Sequence, residues 1–450
     1  MSQTIVVVGG GAAGASAAAR AKRLNPNAEV VLIEATDMIT HAPCGIPYYI
    51  GGIVKRREDL ATYTPEEFEK ERGIKVYINS TVKDVDADRK AVIVERNGHR
   101  FEIRWNKLVI ATGAIPAVPP VPGVDLKGVY TIRHPAHAHK LLEDLRNARK
   151  VAVVGGSYLG LEMTEALLEL GKSVVLIEKG DRLLSKALDH ELAEIVAKEV
   201  LEKSVELHLG EGIKEIIGSN GTVKAVATDK GVYEVDTVVL ATGVKPNIWL
   251  ATRAGAKLGV TGAVEVNEYM ETSVEGVYAA GDVAEKTHRV TGKKVWIPLA
   301  PSANKEGQVA GANAARGRVL RFPGVVGTAV TKFFDLYIAR TGLSEEEAVA
   351  NGFKIEKTVI KARTKAHYYP GSAEVHIKMI MDSSTGRILG AQAVGRDPIV
   401  AGYIDVVAVA VERGMTIEDL FFADLGYHPA VAPVWHPLIV AARVLSKGRF

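Results

Sequence analysis

The segment Thr4–Leu24 reads TIVVVGGGAAGASAAARAKRL, in which a short apolar run leads into a glycine-rich turn and then into an alanine-rich stretch. This order predicts a strand, a tight turn at Gly9, Gly11 and Gly14, and a helix. A second apolar run, AEVVLIEA, then brings Glu34 to its end. Glycines in this spacing let backbone amides at a helix N-terminus approach a pyrophosphate, while the carboxylate can accept a ribose hydroxyl. The stretch therefore predicts a dinucleotide-binding strand–helix–strand unit.

A second copy of this unit lies in Lys150–Asp181, which reads KVAVVGGSYLGLEMTEALLELGKSVVLIEKGD. Gly155 and Gly160 occupy the outer positions of the turn, and Glu178 ends the second apolar run. Ser157 replaces the middle glycine, so we expect pyrophosphate binding to be kept with a less open path along the backbone. Because both copies show the strand–turn–helix order and a distal Glu, they predict two nucleotide-binding units in one chain.

Three further signatures organise the rest of the chain. An apolar strand ends in Ala-Thr-Gly at Gly113 and again at Gly243, and the strand GVYAAGDVAE delivers Asp282. The Pro-rich AIPAVPPVPG reads as a crossover between the two units. From about Gly327 mixed strand and helix patterns continue without another glycine fingerprint. The predicted fold class is α/β, with two Rossmann-like domains and a C-terminal α/β domain.

Composition excludes several classes of function. The chain has 56 Lys and Arg against 53 Asp and Glu, a net charge of +3, which is too small to indicate nucleic acid or an anionic membrane as partner. Without an apolar run of about 20 residues or a signal peptide, we expect a cytoplasmic protein. The single cysteine, Cys44, excludes an internal disulfide. His134, His137 and His139 lack matching carboxylates or thiols, so no metal site is predicted.

Taken in this order, the motifs resemble the FAD-dependent pyridine nucleotide-disulfide oxidoreductase superfamily. The resemblance implies that the first fingerprint binds FAD, that the second binds NADH or NADPH, and that Asp282 contacts the ribityl chain of the flavin. It also implies that the segment WIPLAPSANKEGQVAGANAA, which contains Ala300, lines the isoalloxazine ring. The implied domains are FAD-binding at residues 1–113 and 245–326, NAD(P)-binding at 114–244, and dimerisation at 327–450, which implies a homodimer.

Cys44 lies in THAPCGIPYYIGG and has no partner thiol. On its own, a lone cysteine is either a small buried hydrophobe or a reactive thiol. The segment resembles the single-cysteine branch of the family, which comprises coenzyme A-disulfide reductases, NAD(P)H sulfur or polysulfide reductases, NADH oxidases and NADH peroxidases. The resemblance places Cys44 beside the flavin. The Gly45-Ile46-Pro47 sequence predicts a helix start whose amides lower the pKa of the thiol.

The resemblance implies reduction of a sulfur–sulfur bond, with coenzyme A disulfide as first candidate and polysulfide or elemental sulfur as second. An NADH oxidase that reduces oxygen is one alternative, and a flavoprotein binding or sensing module with incidental turnover is another. Peroxidase relatives carry a histidine in the FAD turn where this sequence has Ala12. That difference disfavours a peroxidase.

Basic residues bear on substrate and nucleotide choice. Arg20 and Arg23 share one helix face. The resemblance to coenzyme A-disulfide reductases implies that these positions contribute to coenzyme A phosphate binding, where Arg23 matches a basic residue and Arg20 replaces an uncharged one. Solvated helix arginines are the alternative interpretation. Glu178 predicts a preference for NADH because a carboxylate repels the 2′-phosphate of NADPH. Lys179 and Arg182 could offset that charge, so use of both nucleotides stays open.

The C-terminal region holds candidates for an active site shared between subunits. In the family that the chain resembles, tyrosines of this region reach the active site of the partner subunit. The matching residues are Tyr427 in DLGYHP and the pair Tyr368 and Tyr369 in HYYPG. Adjacent tyrosines on a strand point opposite ways, so only one of that pair is expected to do so. His428 is either a general acid for the leaving thiol or a plain loop histidine. His41, three residues before the cysteine, is a weaker candidate for a group near the thiolate.

Overall fold

The structure is a computed structural model that describes residues 3–448. Its strands are β1 Thr4–Val8, β2 Glu29–Ile33, β3 Lys75–Tyr77, β4 Ser80–Asp86, β5 Ala91–Arg96, β6 His99–Arg104, β7 Lys107–Ile110, β8 Ala114–Pro116, β9 Val129–Thr131, β10 Lys150–Val154, β11 Ser173–Glu178, β12 Glu206–Leu209, β13 Ile213–Ser219, β14 Thr222–Thr228, β15 Val232–Glu234, β16 Thr237–Leu240, β17 Val244–Pro246, β18 Val277–Ala279, β19 Lys286–Thr287, β20 Lys294–Val295, β21 Ala329–Phe333, β22 Leu336–Gly342, β23 Ile355–Arg363, β24 Glu374–Asp382 and β25 Ile388–Gly395.

The helices alternate with these strands. They are α1 Ala12–Leu24, α2 Ile46–Ile50, α3 Pro65–Arg72, α4 Ala138–Leu145, α5 Tyr158–Glu169, α6 His190–Glu202, α7 Trp249–Arg253, α8 Ala300–Arg316, α9 Glu345–Ala350, α10 Ile399–Arg413, α11 Ile417–Phe421 and α12 Pro437–Leu445. Short 3-10 turns precede α2 and α4, at Pro43–Gly45 and Pro135–His137, and a third spans Arg57–Leu60.

The first sheet is built around β1. Its five strands are parallel and lie in the order β18-β7-β1-β2-β3, so the chain returns to this sheet late, with β18. Parallel strands must be buried on both faces, which explains the unbroken apolar sequence of β1. Helices α1 and α8 pack against this sheet and against each other. They lie close together because Gly307 and Gly311 of α8 face α1. A Cβ atom at either glycine would lie 2.2 Å from a carbonyl oxygen of α1, that of Ala13 or Ala17.

The second sheet repeats this plan. Its parallel strands lie in the order β12-β11-β10-β16-β9, and α5 and α6 pack against it. Each parallel sheet carries an antiparallel three-stranded sheet, β4-β5-β6 beside the first and β13-β14-β15 beside the second. The antiparallel pair β8 and β17 joins the two units. The sequence repeat is therefore a structural repeat.

The third sheet is antiparallel, in the order β21-β22-β25-β24-β23, and α10 and α12 pack on it around a separate apolar core. The predicted α/β fold class, with two Rossmann-like units and a C-terminal α/β domain, is confirmed. The domain boundaries stay a prediction. Across residues 3–448, no helix combines the length and the apolar character that crossing a membrane requires.

Candidate active site

The first glycine turn has the geometry of a phosphate cradle. Gly9 adopts a positive φ of 104°, and a Cβ atom at Gly14 would lie 1.8 Å from the carbonyl oxygen of Gly9. At Gly11, the N-cap residue of α1, a Cβ would meet no atom closer than 3.8 Å, so this side of the turn is open. The outer glycines therefore close the turn onto the helix, and the middle one keeps the approach to the helix N-terminus free.

Glu34 lies at the end of β2, next to this turn. One carboxylate oxygen accepts the amide of Gly10 at 2.7 Å, and the other accepts the amide and hydroxyl of Thr36 at 2.8 and 2.9 Å. A carboxylate has about four lone-pair positions, so these bonds fix its orientation and leave room for a ribose hydroxyl. This arrangement fits the adenosine end of a dinucleotide.

A cavity of about 750 Å³ connects the turn with the lone cysteine. The predicted residues that line it are Gly9, Gly11, Arg23, Glu34, Cys44, Gly113, Asp282 and Ala300. Gly14 lies behind the turn, and Arg20 is not part of the described cavity wall. Because one cavity contains a phosphate cradle, a ribose acceptor and a thiol, the residues present fit a bound FAD beside Cys44.

Asp282 is held by residues that are distant in the sequence. The guanidinium of Arg133 lies 2.6 Å from its carboxylate and also donates to the carbonyl of Ala114 at 3.0 Å. The indole N–H of Trp296 donates to the backbone oxygen of Asp282 at 2.7 Å. Arg133 also lines the cavity, yet no sequence motif marked it, because it lies 149 residues from its partner.

Cys44 occupies the 3-10 turn Pro43–Gly45, directly before α2. Its side chain is exposed to the cavity, but the surrounding protein removes part of its solvation, which raises the pKa of the thiol. The carboxylate of Glu162 raises this pKa further. Arg133 and a backbone hydrogen bond act in the opposite direction. The predicted backbone contribution does lower the pKa of the thiol, but burial and Glu162 outweigh it, so the net shift is upward and not downward as expected. The α2 helix has only five residues, and its amides do not outweigh burial and a nearby carboxylate.

Glu162 is a site residue that the sequence interpretation missed. It lies in the second turn of α5, and burial raises its pKa to about 7, with Glu165 adding to the effect. Its carboxylate accepts the hydroxyl of Thr331, on β21, at 2.9 Å. The only available signal was its position, two residues after the last glycine of the second fingerprint.

The environment of Cys44 leads to a prediction for Glu162→Gln. Removing the carboxylate should lower the pKa of the Cys44 thiol, because a like charge no longer opposes the thiolate. The pH dependence of alkylation by iodoacetamide, followed by mass, measures the midpoint, which should move to lower pH. Glu169→Gln, an exposed position on the same helix, should leave the midpoint unchanged. An unshifted midpoint in Glu162→Gln would show that burial alone sets the pKa.

His134 and His41 line the cavity as a contacting pair of rings, with centroids 4.1 Å apart and planes inclined by 59°. Nδ1 of His134 accepts the amide of Ala136, so its Nε2 carries the proton toward the hydroxyl of Thr36 at 3.2 Å. Burial lowers the pKa of His134 to about 3, and burial also lowers the pKa of His41. Among residues 3–448, no group of three or more His, Cys, Asp or Glu is arranged to hold a metal.

The second glycine turn reproduces the first. A Cβ at Gly160 would lie 1.8 Å from the carbonyl oxygen of Gly155, and Gly155 has a φ of 111°. Ser157 is the N-cap residue of α5, and its side chain makes no capping bond. Glu178 accepts the amides of Gly156 and Gly180, as Glu34 accepts that of Gly10. Gly243 has a φ of 94°, and a Cβ there would meet no atom within 4 Å.

Arg182 does not point toward this turn. Its guanidinium is 10% exposed, lies 2.8 Å from Glu346 of α9, and donates to the carbonyls of Ser185 and Leu188. Because Arg182 pairs with Glu346 and Asp181 in this structure, these contacts favour Lys179 over Arg182 as the cation that would offset Glu178.

The C-terminal candidates lie apart from the described cavity wall of their own chain. Tyr368 and Tyr369 occupy a turn between β23 and β24, so the assumption that they alternate along a strand is wrong. Tyr368 forms a side-chain hydrogen bond with Tyr427, which raises the pKa of Tyr427, and both side chains are exposed. His428 lies in a turn in which its Nδ1 accepts the amide of Ala430 at 3.3 Å.

Comparison with known proteins gives this site a family. Residues 3–307 match the pyridine nucleotide-disulphide oxidoreductase family, and residues 328–438 match the dimerisation domain of that family. A "NAD(P)H coenzyme A polysulfide/persulfide reductase" of Pyrococcus horikoshii is 48% identical over 448 residues, 99% of each chain. A "NADH oxidase" of Methanocaldococcus jannaschii is 38% identical over 445 residues, 98% of each chain.

A solved structure shows the same likeness in three dimensions. The structure of a NAD-dependent persulfide reductase from A. fulgidus superposes with a TM-score of 0.96 at 39% identity, covering 99% of this chain and 83% of that one. The resemblance inferred from the motifs is thus confirmed over nearly the whole sequence. The chain belongs to the pyridine nucleotide-disulphide oxidoreductase family.

Proposed function

We propose that the protein is a flavin-dependent NAD(P)H oxidoreductase that reduces the sulfur–sulfur bond of a coenzyme A derivative, a disulfide or a persulfide. One observation carries the proposal: a single cavity is lined by the first dinucleotide turn and by the only cysteine of the chain. The names of the relatives from P. horikoshii and A. fulgidus support sulfur as the acceptor.

The chemistry follows from a thiol without a partner. The Cys44 thiolate attacks one sulfur of coenzyme A disulfide, forms a mixed disulfide and releases one coenzyme A thiolate, which takes up a proton. When bound, FAD would supply the two electrons that NAD(P)H delivers as a hydride. Cys44 would return to the thiolate as its mixed disulfide is reduced, and the second coenzyme A would leave as a thiolate. In sum, NAD(P)H, one proton and the disulfide give NAD(P)⁺ and two thiols.

A basic wall of the cavity supports coenzyme A as the carrier. Arg23 of α1 and Arg72 of α3 both line it, and Arg72 donates to the hydroxyl of Tyr63. Sequence interpretation missed Arg72, because α3 lies far from α1 in the chain. The two guanidinium groups provide donors for the phosphates of coenzyme A. Arg20 is not part of this proposal, because it does not line the cavity.

Substitution of these arginines tests the carrier. Arg23→Ala and Arg72→Ala should each raise KM for coenzyme A disulfide by about tenfold through loss of a charged hydrogen bond. KM for pantethine, the same disulfide without the nucleotide phosphates, should stay unchanged. Lys22→Ala, which removes a cation of α1 outside the described cavity wall, is the matched control. Equal effects on both disulfides would contradict phosphate recognition.

Oxygen is the second candidate acceptor, favoured by the relative named NADH oxidase. Oxygen consumption and NADH oxidation by coenzyme A disulfide, compared in the same preparation, decide between the two acceptors. Faster oxygen reduction would replace the proposal. Turnover no faster than that of free flavin with every acceptor would favour a binding or sensing module.

We further propose that NADH is the preferred nucleotide. Glu178→Ala should lower kcat/KM for NADH by about tenfold and raise the NADPH-to-NADH ratio, because the carboxylate that binds a ribose diol also repels a 2′-phosphate. Arg182→Gln should leave the ratio unchanged, since its guanidinium faces Glu346. Steady-state kinetics with both nucleotides provide the measurement. A ratio that moves only in Arg182→Gln would reverse this assignment.

We propose a homodimer in which Tyr427, Tyr368 and His428 approach the partner's Cys44 cavity. The dimerisation-domain match and the exposure of Tyr368 and Tyr427, at 65% and 53%, support this arrangement. Sedimentation as a fully active monomer would refute it. We also propose FAD-binding limits of 1–113 and 245–326, with 114–244 for NAD(P) and 327–450 for dimerisation, supported by the return of β18 to the first sheet.

A further inference from the structure

A buried ion pair lies beneath the turn that carries Asp282. Lys286 of β19 and Glu306 of α8 face each other with Nζ and Oε1 3.2 Å apart, and both side chains are 0% exposed. Removing two charges from water costs several kcal/mol per ion, and the mutual attraction of a buried pair often fails to offset that cost. Replacing such a pair with apolar residues is therefore often neutral or stabilising, and stability alone does not explain why it is present.

The pair makes a second set of contacts, all to the backbone of this turn. The amide of Gly281 donates to Oε2 of Glu306 at 2.8 Å, and Nζ of Lys286 donates to the carbonyls of Gly281 and Ala284 at 3.1 and 3.2 Å. Both polar backbone groups of one glycine are thus held by opposite charges. Hydrogen bonds with a charged partner are stronger than neutral ones.

Gly281 has a backbone conformation that favours glycine, and it lies close against α1. Its φ is 84°, and a Cβ there would lie 2.8 Å from the Cβ of Ala13, on the helix that follows the first glycine turn. The next residue, Asp282, lines the cavity, and Arg133 and Trp296 fix its carboxylate and its carbonyl. The ion pair therefore completes the set of contacts that orient Asp282.

We propose that Lys286 and Glu306 are positioning residues for the flavin, which hold the Gly281–Asp282 turn in the conformation that binds FAD. Neither Lys286 nor Glu306 is among the residues that line the cavity, and both act through the backbone of Gly281, which does line it. Their role is separate from the choice of acceptor, so it stands whichever substrate the enzyme reduces.

The double variant Lys286→Met/Glu306→Met tests this role in the holoenzyme. It removes both charges with little change in volume but leaves the polar backbone groups of Gly281 without these partners, so the thermal midpoint with excess FAD should fall modestly. The rate of FAD release on dilution, followed by flavin fluorescence, should rise about tenfold or more through loss of the charged hydrogen bonds to Gly281. A release rate within twofold of the wild type would overturn the proposal.

Lys378→Met is the matched control. Lys378 is also 0% exposed, and its ammonium lies within 3.1 Å of Asp189, Glu191 and Glu345, far in the chain from the Asp282 turn. Its loss should lower the thermal midpoint without accelerating FAD release. If the double variant fails to fold, Glu306→Gln keeps an acceptor of the same size, and its release rate should still rise severalfold. An unchanged rate in that variant would equally refute a positioning role.

Discussion

Cys44→Ser should lose reduction of coenzyme A disulfide by a factor on the order of 10³ or more, while FAD stays bound. Serine fits the same space, but its hydroxyl is a poor nucleophile and cannot form the mixed disulfide. The chain has no other cysteine to take over this step. NADH-dependent turnover with coenzyme A disulfide measures the loss, and the flavin absorbance spectrum of the purified variant shows that the cofactor is kept.

An internal control separates the thiol step from the nucleotide step. Reduction of ferricyanide by NADH does not need a thiol, so the Cys44→Ser variant should retain it at close to the wild-type rate. Coenzyme A disulfide turnover at more than a tenth of the wild-type rate would contradict a thiol mechanism. Loss of both activities would instead indicate a damaged flavin site. The same two activities would then be measured on Cys44→Ala.

Gly14→Ala should prevent formation of a stable first nucleotide-binding unit, with an expected loss of roughly 4 kcal/mol or more. The added Cβ, whose position the backbone fixes, would lie 1.8 Å from the backbone carbonyl oxygen of Gly9. No rotamer change can relieve it, so α1 must move away from the turn and from α8. Thermal unfolding with FAD present, together with the yield of yellow soluble protein, measures the effect.

Gly11→Ala is the paired variant. It separates the effect of a packing clash from the effect of blocking the approach of a phosphate to the turn. Its Cβ would meet no atom closer than 3.8 Å, so this variant should unfold at nearly the wild-type temperature. It should nevertheless bind FAD more weakly. Gly160→Ala repeats the clash in the second unit and should reduce NADH binding. If Gly14→Ala melted like the wild type, the turn geometry described here would be wrong.

Local spacing predicted the features that depend on a few consecutive residues. The glycine turns at Gly9–Gly14 and Gly155–Gly160 and the distal carboxylates Glu34 and Glu178 follow from short-range backbone geometry, and the structure places all of them as predicted. The repeat of two units followed by a third sheet was also readable, because each unit carries its own apolar periodicity.

Contacts between distant segments could not be read in this way. Arg133 meets Asp282 only because two strands from different parts of the chain end at the same place, and Arg72 reaches the cavity from a helix that carries no motif. The direction of the Cys44 pKa depends on burial and on Glu162, neither of which is visible in local sequence. The turn that contains Tyr368 shows the same limit, because strand periodicity does not mark where a strand ends.

The contacts of Arg182 have a consequence for exchanging parts between relatives. The loop after Glu178 contacts the C-terminal domain at two residues. Arg182 pairs with Glu346 of α9, and Asp189 binds Lys378 of β24 and Gln392 of β25. A nucleotide-binding unit transplanted from another enzyme would lose these contacts unless its partners on the C-terminal domain came with it. Engineering of coenzyme choice by domain exchange therefore has to replace the second nucleotide-binding unit together with the C-terminal sheet.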